Sequence, residues 1–261
     1  MNKLKLLFNY LGFLLKSKNE HGIQSPFVFE LYTQIIKDDQ KYYCFDDVES
    51  IRAMLLLSKQ KINVTDLGAG SKVHSSTERK IANITKFSSK PAKYGQLLFR
   101  LANRFKPSSI IEIGTSVGIS TMYLAAHSSK CTVHTIEGCP NITKIAKVNF
   151  KKIGYNNIKI YNDSFENALP TIVSQHETLD FVYFDGNHTK VATLSYFNMC
   201  IEKTSVKSVF IFDDIYWSDE MKAAWKEIKS HPKVTTTIDV FAFGIVLFNT
   251  DLSKENFVLR Y

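Results

Sequence analysis

The sequence has few cysteines and no long apolar run, and these two absences exclude several classes of protein. Its four cysteines show no C-x-x-C pairing; they are Cys44, Cys131, Cys139 and Cys200. Free thiols in a reducing compartment are the simplest interpretation of that pattern. The apolar N-terminal stretch, residues 4–15, is interrupted by Lys5 and Asn9 and is shorter than the roughly 20 residues that span a bilayer. No small-residue cleavage pattern follows it, so we predict a cytoplasmic protein.

The charge balance is basic but not concentrated in one segment. The chain has a formal net charge of +8, with 44% hydrophobic and 22% charged residues, which is typical of a soluble globular protein. An excess of Lys and Arg favours anionic partners such as RNA, acidic lipid or phosphorylated metabolites. Because the basic residues are spread along the chain, we interpret them as a solvated surface and do not expect a nucleic-acid partner.

Residues 3–16 have the spacing of an amphipathic helix. The apolar positions are Leu4, Leu7, Phe8, Leu11, Leu14 and Leu15. Two interpretations of this helix stay open. The ordinary one is packing on the core or on a second subunit, as in a homodimer, and the alternative is contact with a membrane surface.

Strand and helix patterns alternate from residue 91 onwards, after a helix that Pro91 opens. The predicted strands are residues 110–113, 132–136, 158–161, 179–184 and 208–212, followed by an antiparallel hairpin over residues 234–248. This alternation is typical of a Rossmann-like α/β fold with a doubly wound, mainly parallel sheet. We therefore predict that residues 91–261 form this core and that residues 1–90 are a helical extension, which would supply a lid, acceptor contacts or dimer contacts.

The turn after the first predicted strand has the composition of a ligand-binding turn. Glu112 is followed by Gly114 and Gly118, and both glycines would allow the backbone to approach a ligand closely. A dinucleotide fingerprint requires glycine where Ser116 stands, so no diphosphate is expected on this turn. Glu137 ends the second predicted strand, where a carboxylate can accept both hydroxyls of a ribose.

A second acid-and-glycine segment, residues 63–71, is a weaker candidate for the cofactor turn. The apolar run before it is short, and polar residues follow it. Ser75 and Glu78 have capping-box spacing, which predicts the start of a helix near Ser75. We interpret the segment as a loop that could cover the ligand.

Every predicted parallel strand ends in acidic side chains. These are Glu112, Glu137, Asp163, Asp185, and Asp213 with Asp214. The carboxyl ends of parallel strands meet at one edge of a sheet, which is where an open α/β fold places its binding site.

These motifs resemble those of class I methyltransferases, which bind S-adenosylmethionine (SAM). The acid-x-Gly-x-x-x-Gly turn, Glu112 to Gly118, is similar to their first motif. Residues 185–188, Asp-Gly-Asn-His, together with Asp213-Asp214, are similar to motifs of the metal-dependent O-methyltransferases of the catechol and caffeoyl-CoA type and of bacterial relatives with an Asp-Gly-x-His motif. The resemblance covers residues 91–248.

The resemblance implies roles for individual residues. It implies Asp185, Asp213 and Asp214 as ligands of Mg²⁺ or another divalent cation. His188 stands where the catechol-type enzymes carry a basic lysine, which implies a catalytic base beside Asp185; a helix-start residue or a fourth metal ligand are the alternatives. The implied SAM contacts are Glu112, Gly114, Thr115, Ser116, Gly118 and Ser120 at the methionine end, Glu137 at the ribose, Asp163 and Ser164 at the adenine, and Asp185.

The function that follows from the resemblance is SAM-dependent methylation of a hydroxyl oxygen of a small molecule, assisted by a divalent cation. Two rivals are methylation of RNA or protein and a non-catalytic nucleoside-binding protein. Trp217 is a candidate contact for an aromatic acceptor, whereas Trp225, at helical spacing, is expected in the core.

Overall fold

The computed structural model describes residues 3–65 and 77–261. The helices are α1 (Lys3–Lys16), α2 (Pro26–Leu31), α3 (Tyr43–Leu56), α4 (Ile81–Ser88), α5 (Ala92–Phe105), α6 (Ile119–Ala125), α7 (Pro140–Ile153), α8 (Phe165–Ser174), α9 (Lys190–Ile201) and α10 (Asp219–Ser230). The strands are β1 (Lys61–Asn63), β2 (Glu78–Lys80), β3 (Ser109–Ile113), β4 (Thr132–Ile136), β5 (Ile158–Tyr161), β6 (Phe181–Phe184), β7 (Val209–Asp213), β8 (Thr236–Asp239), β9 (Phe243–Leu247) and β10 (Glu255–Val258).

The main sheet has eight strands, β3 to β10, and is mainly parallel, as the alternating pattern predicts. The chain divides into two compact units, residues 39–172 and residues 1–38 with 173–261. In the first unit the strand order is β3-β4-β5, all parallel. In the second unit the order is β10-β8-β9-β7-β6. There β9 runs antiparallel to both β7 and β8, which confirms part of the predicted C-terminal hairpin.

The core strands are buried because they consist almost entirely of apolar residues. β6 and β7 are buried along their whole length, which is typical of parallel strands covered on both faces. In the unit of residues 39–172, one apolar cluster joins α3, α5, α6 and α7. Phe45, Phe99 and Tyr123 lie at its centre, with ring centroids 5.2 and 5.7 Å from Phe45.

The bounds of the elements agree with the sequence patterns where the apolar signal is strong. β4 and β5 have the predicted limits. Helix α7 is followed by Gly154 as its C-cap, with φ of 80°. The helix predicted to start near Ser75 is wrong, since β2 occupies 78–80 and α4 begins at Ile81. Residues 66–71 of the second acid-and-glycine segment, and Ser75 itself, lie outside the described residues.

The N-terminal helix has its predicted limits, but most of the apolar side chains in its predicted stripe are exposed. Phe13 is buried, whereas five of the six residues of the predicted stripe are exposed: Leu4, Leu7, Phe8, Leu11 and Leu15. The interpretation in which this stripe packs on the core is therefore wrong for those five positions. The reason is that α1 contacts the rest of its unit with a different face, which contains Asn9 and Phe13.

The compact units differ from the predicted division at residue 90, and the predicted core of residues 91–261 stays a prediction.

Among the helices of residues 3–65 and 77–261, none combines the length and apolar character needed to cross a bilayer.

Candidate functional site

The turn between β3 and α6 is built on three residues with positive φ. Gly114, Ser116 and Gly118 have φ of 108°, 48° and 87°. The N–H groups of Gly114 and Thr115 both donate to the carbonyl of Ile136, at 3.3 and 3.1 Å, which ties the turn to the end of β4. A Cβ atom at Gly118 would lie 2.4 Å from the ring of Phe150. Glycine at this position is therefore required by the packing of α7 as well as by the backbone conformation.

Glu112 is placed inside the unit rather than on a surface. Its side chain is fully buried, and its Oε2 accepts hydrogen bonds from the hydroxyls of Thr121 and of Thr135, the latter at 2.6 Å. Burial raises the pKa of Glu112 to about 7, although hydrogen bonds from Ser120, Thr121 and Thr135 act in the opposite direction. Glu112 thus links β3 to Thr121 of α6 and Thr135 of β4 through hydrogen bonds. Its direct contact with a ligand stays a prediction.

Glu137 connects the turn with the residues that follow β4. Its Oε2 accepts the N–H of Ser116 at 2.9 Å, and its Oε1 accepts the N–H of Cys139 at 2.8 Å. The side chain is half-buried. A carboxylate has about four acceptor positions, which is more than these two N–H groups occupy. The structure therefore brings Glu137 and the glycine turn together, as the sequence predicts for a ribose-binding acid.

The end of β5 adds a third polar group to this unit. Asp163 is exposed, and its Oδ1 accepts the N–H of Ser164 at 2.7 Å and the amide of Asn167 at 3.1 Å. The amide of Asn162 donates to the carbonyls of Glu137 and Gly138, at 2.8 and 3.2 Å. Asp163 and Ser164 consequently lie next to the residues that follow β4, and their contact with an adenine stays a prediction.

Burial separates the predicted cofactor residues into two groups. Gly114, Ser116, Ser120 and Glu137 are half-buried and can contact a ligand, whereas Glu112, Thr115 and Gly118 are buried beneath them. Thr115 is held from inside by the hydroxyl of Thr135, at 2.6 Å.

One contact with this turn and one with Cys139 come from residues outside the predicted SAM contacts. The hydroxyl of Ser88, at the end of α4, lies 2.7 Å from that of Ser116. The N–H of Thr65 lies 3.4 Å from the sulfur of Cys139. Ser88 belongs to no predicted motif, so only the tertiary fold reveals it, whereas Thr65 lies in the second acid-and-glycine segment, residues 63–71.

A second group of polar side chains lies at the carboxyl ends of β6 and β7, in the other unit. The register pairs Phe184 with Phe212, whose rings stack with centroids 4.3 Å apart. The next residue on each strand is an acid, Asp185 or Asp213, so the two carboxylates emerge side by side. Asp213 is 1% exposed, and Asp185 accepts a hydrogen bond from the hydroxyl of Tyr183 at 3.2 Å.

His188 completes this group. It lies in the connection between β6 and α9, where Asn187 has φ of 49° and the side chain of Thr189 caps the helix. The Nε2 of His188 is 3.6 Å from the Oδ1 of Asp185. One ligand atom each from Asp185, His188 and Asp213 lie within 4.8 Å of one another, which is a spacing that a single cation can bridge.

The structure does not place Asp214 in this cluster. Its backbone has φ of 54°, a conformation that Asp and Asn adopt more readily than most residues. Its N–H donates to the carbonyl of Ala242 at 2.9 Å, and its carbonyl accepts the N–H of Trp217 at 2.8 Å. Of the three predicted metal ligands, two are brought together, and the third member of the cluster is the histidine.

Trp225 has the core environment that the sequence predicts, whereas contact of Trp217 with an aromatic acceptor stays a prediction. Trp217 is 38% exposed, in the segment after β7. Trp225 is buried against Phe212 and above Gly244, where an added Cβ would lie 2.6 Å from the indole.

Comparison with known proteins agrees with the motifs. Residues 111–215 match the family model of a methyltransferase domain. No curated protein matches the sequence. The predicted resemblance to methyltransferases is therefore confirmed, whereas the Asp-Gly-x-His motif stays a prediction.

Solved structures of methyltransferases share the fold. An O-methyltransferase from Bacillus cereus in complex with SAH is 18% identical, with a TM-score of 0.58 over 84% of this chain and 96% of that one. An SAH-bound methyltransferase from Podospora anserina is 14% identical, with a TM-score of 0.59 over 87% and 97%. The O-methyltransferase TomG from Streptomyces achromogenes, in complex with SAM, is 15% identical, with a TM-score of 0.57 over 85% and 94%. At these identities, the likeness shows the fold.

Proposed function

We propose that this chain, whose residues 111–215 match a methyltransferase domain, transfers the methyl group of SAM to a hydroxyl oxygen of a small molecule, with a divalent cation bound by Asp185, Asp213 and His188. The observation that carries the proposal is the cluster of two carboxylates and one imidazole in a chain that also carries a methyltransferase-type turn. A methyltransferase fold needs no such cluster to bind SAM, so the cluster favours metal-assisted chemistry on the acceptor.

The glycine turn and Glu137 are the proposed SAM site. SAM has an amino-acid end and a ribose but no phosphate, which fits a turn that lacks the glycine of a dinucleotide fingerprint. Glu137 would accept the ribose hydroxyls while it keeps the N–H groups of Ser116 and Cys139 in place. When bound, SAM supplies a methyl group on a sulfonium for in-line displacement, and the protein contributes mainly alignment. The SAM and SAH complexes among the similar structures support this assignment.

The chemistry of the donors fits a divalent cation. Two carboxylates suit Mg²⁺ or Mn²⁺, and an imidazole extends the candidates to other transition metals. Asp213 is buried at the end of a fully buried strand, so its carboxylate is held in one position. A cation in this cluster would lower the pKa of an acceptor hydroxyl and favour its deprotonation.

His188 has two candidate roles that exclude each other. As a base, its free imidazole nitrogen would take the proton of the acceptor hydroxyl. As a ligand, the same nitrogen would bind the cation, and its position within 4.8 Å of both carboxylates favours this role. His188→Gln separates the two, because a ligand role predicts weaker Mn²⁺ binding. A base role predicts unchanged Mn²⁺ binding with a loss of turnover.

The proposal is tested by three measurements on the full chain. Calorimetry with SAM tests the cofactor, Mn²⁺ titration followed by electron paramagnetic resonance tests the metal, and a labelled-methyl screen over small hydroxylated acceptors tests the reaction. Asp213→Asn should weaken Mn²⁺ binding and abolish turnover while SAM binding stays unchanged. Normal turnover of Asp213→Asn would refute the metal assignment. SAM binding without transfer to any acceptor would instead support the non-catalytic alternative.

A further inference from the structure

Helix α1 packs on its own unit through one face only. Phe13 lies against the ring of Phe241, with centroids 5.3 Å apart, and the amide of Asn9 donates to the carbonyl of Tyr216 at 3.2 Å. Lys5 forms an ion pair with Asp219. These contacts fix the orientation of the helix, and the opposite face is therefore fixed as well.

The opposite face of α1 is apolar and exposed. Its members are Leu4, Leu7, Phe8, Leu11 and Leu15, with exposed fractions between 47% and 89%. At 100° per residue they fall within an arc of about 100°, so they form one continuous stripe. Each of these side chains is at least 47% exposed in the described parts of the chain, residues 3–65 and 77–261. Five large apolar side chains exposed together on one face of a helix are the arrangement of an interfacial amphipathic helix.

The charged residues of α1 itself are all positive, and one of them, Lys5, is paired with Asp219. α1 contains three lysines, Lys3, Lys5 and Lys16, and no acidic residue. In the helical projection, Lys5 and Lys16 lie about a quarter to a third of a turn from the centre of the stripe. Lys18 and Arg260, both exposed, follow at the C-terminal end of the helix, where the side chain of Arg260 donates to the hydroxyl of Ser17 at 3.1 Å. Half-buried Glu20 is an acidic side chain at this end.

We propose that the apolar stripe of α1 docks on the surface of a membrane that contains anionic phospholipid, with the helix parallel to the surface. An apolar face bordered by lysines is the arrangement of helices that lie in the interfacial layer. The leucines and Phe8 would enter the acyl boundary, and the lysines would contact the headgroups. The net charge of +8 adds long-range attraction to an anionic surface.

A second copy of the chain fits the stripe less well. In a two-fold contact between α1 helices, the lysines of both copies would meet with no acid of α1 to offset them. The area is also small: 14 residues extend about 21 Å with a width of about 10 Å, or roughly 200 Å², against about 800 Å² per partner in a stable interface. An anionic bilayer satisfies both the charge and the area.

The test is sedimentation of the full chain with vesicles of phosphatidylcholine that contain phosphatidylglycerol, compared with phosphatidylcholine alone. We expect binding to the anionic vesicles that falls with added salt, and much weaker binding to the neutral ones. Leu15→Gln should lower the partition coefficient about three-fold or more, and Leu11→Gln/Leu15→Gln about ten-fold or more. The matched control is Leu57→Gln, since Leu57 is 81% exposed and Leu15 89%. It should bind like the wild type.

Three outcomes would overturn the proposal. One is no sedimentation with anionic vesicles, and another is equal binding of Leu15→Gln and Leu57→Gln. The third comes from sedimentation velocity without lipid: a wild-type dimer that Leu11→Gln/Leu15→Gln converts to a monomer would make the stripe a subunit contact. Because these side chains are exposed, the variants should fold normally, which circular dichroism checks.

Discussion

Glu112 is an acidic side chain in the interior of its unit, and its ionisation affects the stability of the fold. Burial raises the pKa from near 4.5 to about 7, so the folded state binds a proton more tightly than the unfolded state. The contribution of Glu112 to the free energy of unfolding is therefore fully present below about pH 4.5. It is lost as the pH rises through about 7.

Glu112→Gln removes this dependence on pH. Compared with the wild type, the variant should gain on the order of 3 kcal/mol in the free energy of unfolding between about pH 4 and about pH 8. Urea unfolding at the two pH values measures the difference. Glu255→Gln, at an exposed glutamate, is the control and should show no such gain. A Glu112→Gln variant that tracks the wild type at both pH values would contradict the assignment.

Substitution of Glu137 should directly lower the affinity for SAM. Glu137→Ala removes the acceptor of the Ser116 and Cys139 N–H groups and the proposed acceptor of the ribose. The affinity for SAM should fall about 10- to 100-fold, the loss expected for one or two hydrogen bonds to a charged group. Calorimetry measures it, with Glu166→Ala, at an exposed glutamate of α8, as the control. Equal affinities of the two variants would place the ribose elsewhere.

At the scale of residues, the sequence predicts which acidic residues come at the ends of the strands. It does not predict for each of them whether the side chain is buried. Asp185 and Asp213 are side by side because their strands are in register, as expected for parallel strands. Glu112 lies within β3, one residue before its end, and β3 is buried at this position on either face. A strand that is apolar on both faces shows no alternation of apolar and polar residues. The sequence therefore could not show whether the side chain of Glu112 is buried or exposed.

The turn before α6 depends on glycine for two separate reasons, and two variants separate them. Gly118 and Gly154 have similar φ, 87° and 80°, but an added Cβ meets Phe150 only at Gly118 and nothing within 4 Å at Gly154. Gly154→Ala should cost about 1 kcal/mol from backbone strain alone. Gly118→Ala should cost about 2–4 kcal/mol, because the steric conflict adds to the strain. Urea unfolding compares them, and equal costs would mean that Phe150 moves away freely.

The packing of α1 gives a second matched pair. Phe13 is 4% exposed and contacts Phe241, whereas Phe8 is 64% exposed. Phe13→Ala should lower the free energy of unfolding by about 3 kcal/mol, and Phe8→Ala by less than about 0.5 kcal/mol. Thermal and urea unfolding measure both. A large loss for Phe8→Ala would show that its side chain is buried in solution.

Elements with a weak apolar signal were not predictable from the sequence. β1, β2 and β10 are short and contain polar stretches such as Glu78-Arg79-Lys80 and Glu255-Asn256. Their strand conformation follows from pairing with a partner, β1 with β2 and β10 with β8, and not from local propensity. The long patterns of α1, α5 and α7 were predictable because periodicity extends over 14 residues in each.

The chain folds into two compact units, one of which is not continuous in sequence. One unit consists of residues 39–172 and carries the glycine turn and Glu137; the other combines residues 1–38 with 173–261 and carries the acid–histidine cluster and α1. The sequence could not reveal this division, because a composition shift or linker marks a boundary only where units are consecutive in the chain.

The most direct test of the proposed function is transfer of a labelled methyl group from SAM to small phenols and catechols, with Mg²⁺ and with EDTA. We expect labelled product with Mg²⁺ and its loss when EDTA removes the cation, since the cluster of Asp185, His188 and Asp213 would then hold no metal. Undiminished transfer in EDTA would contradict the account.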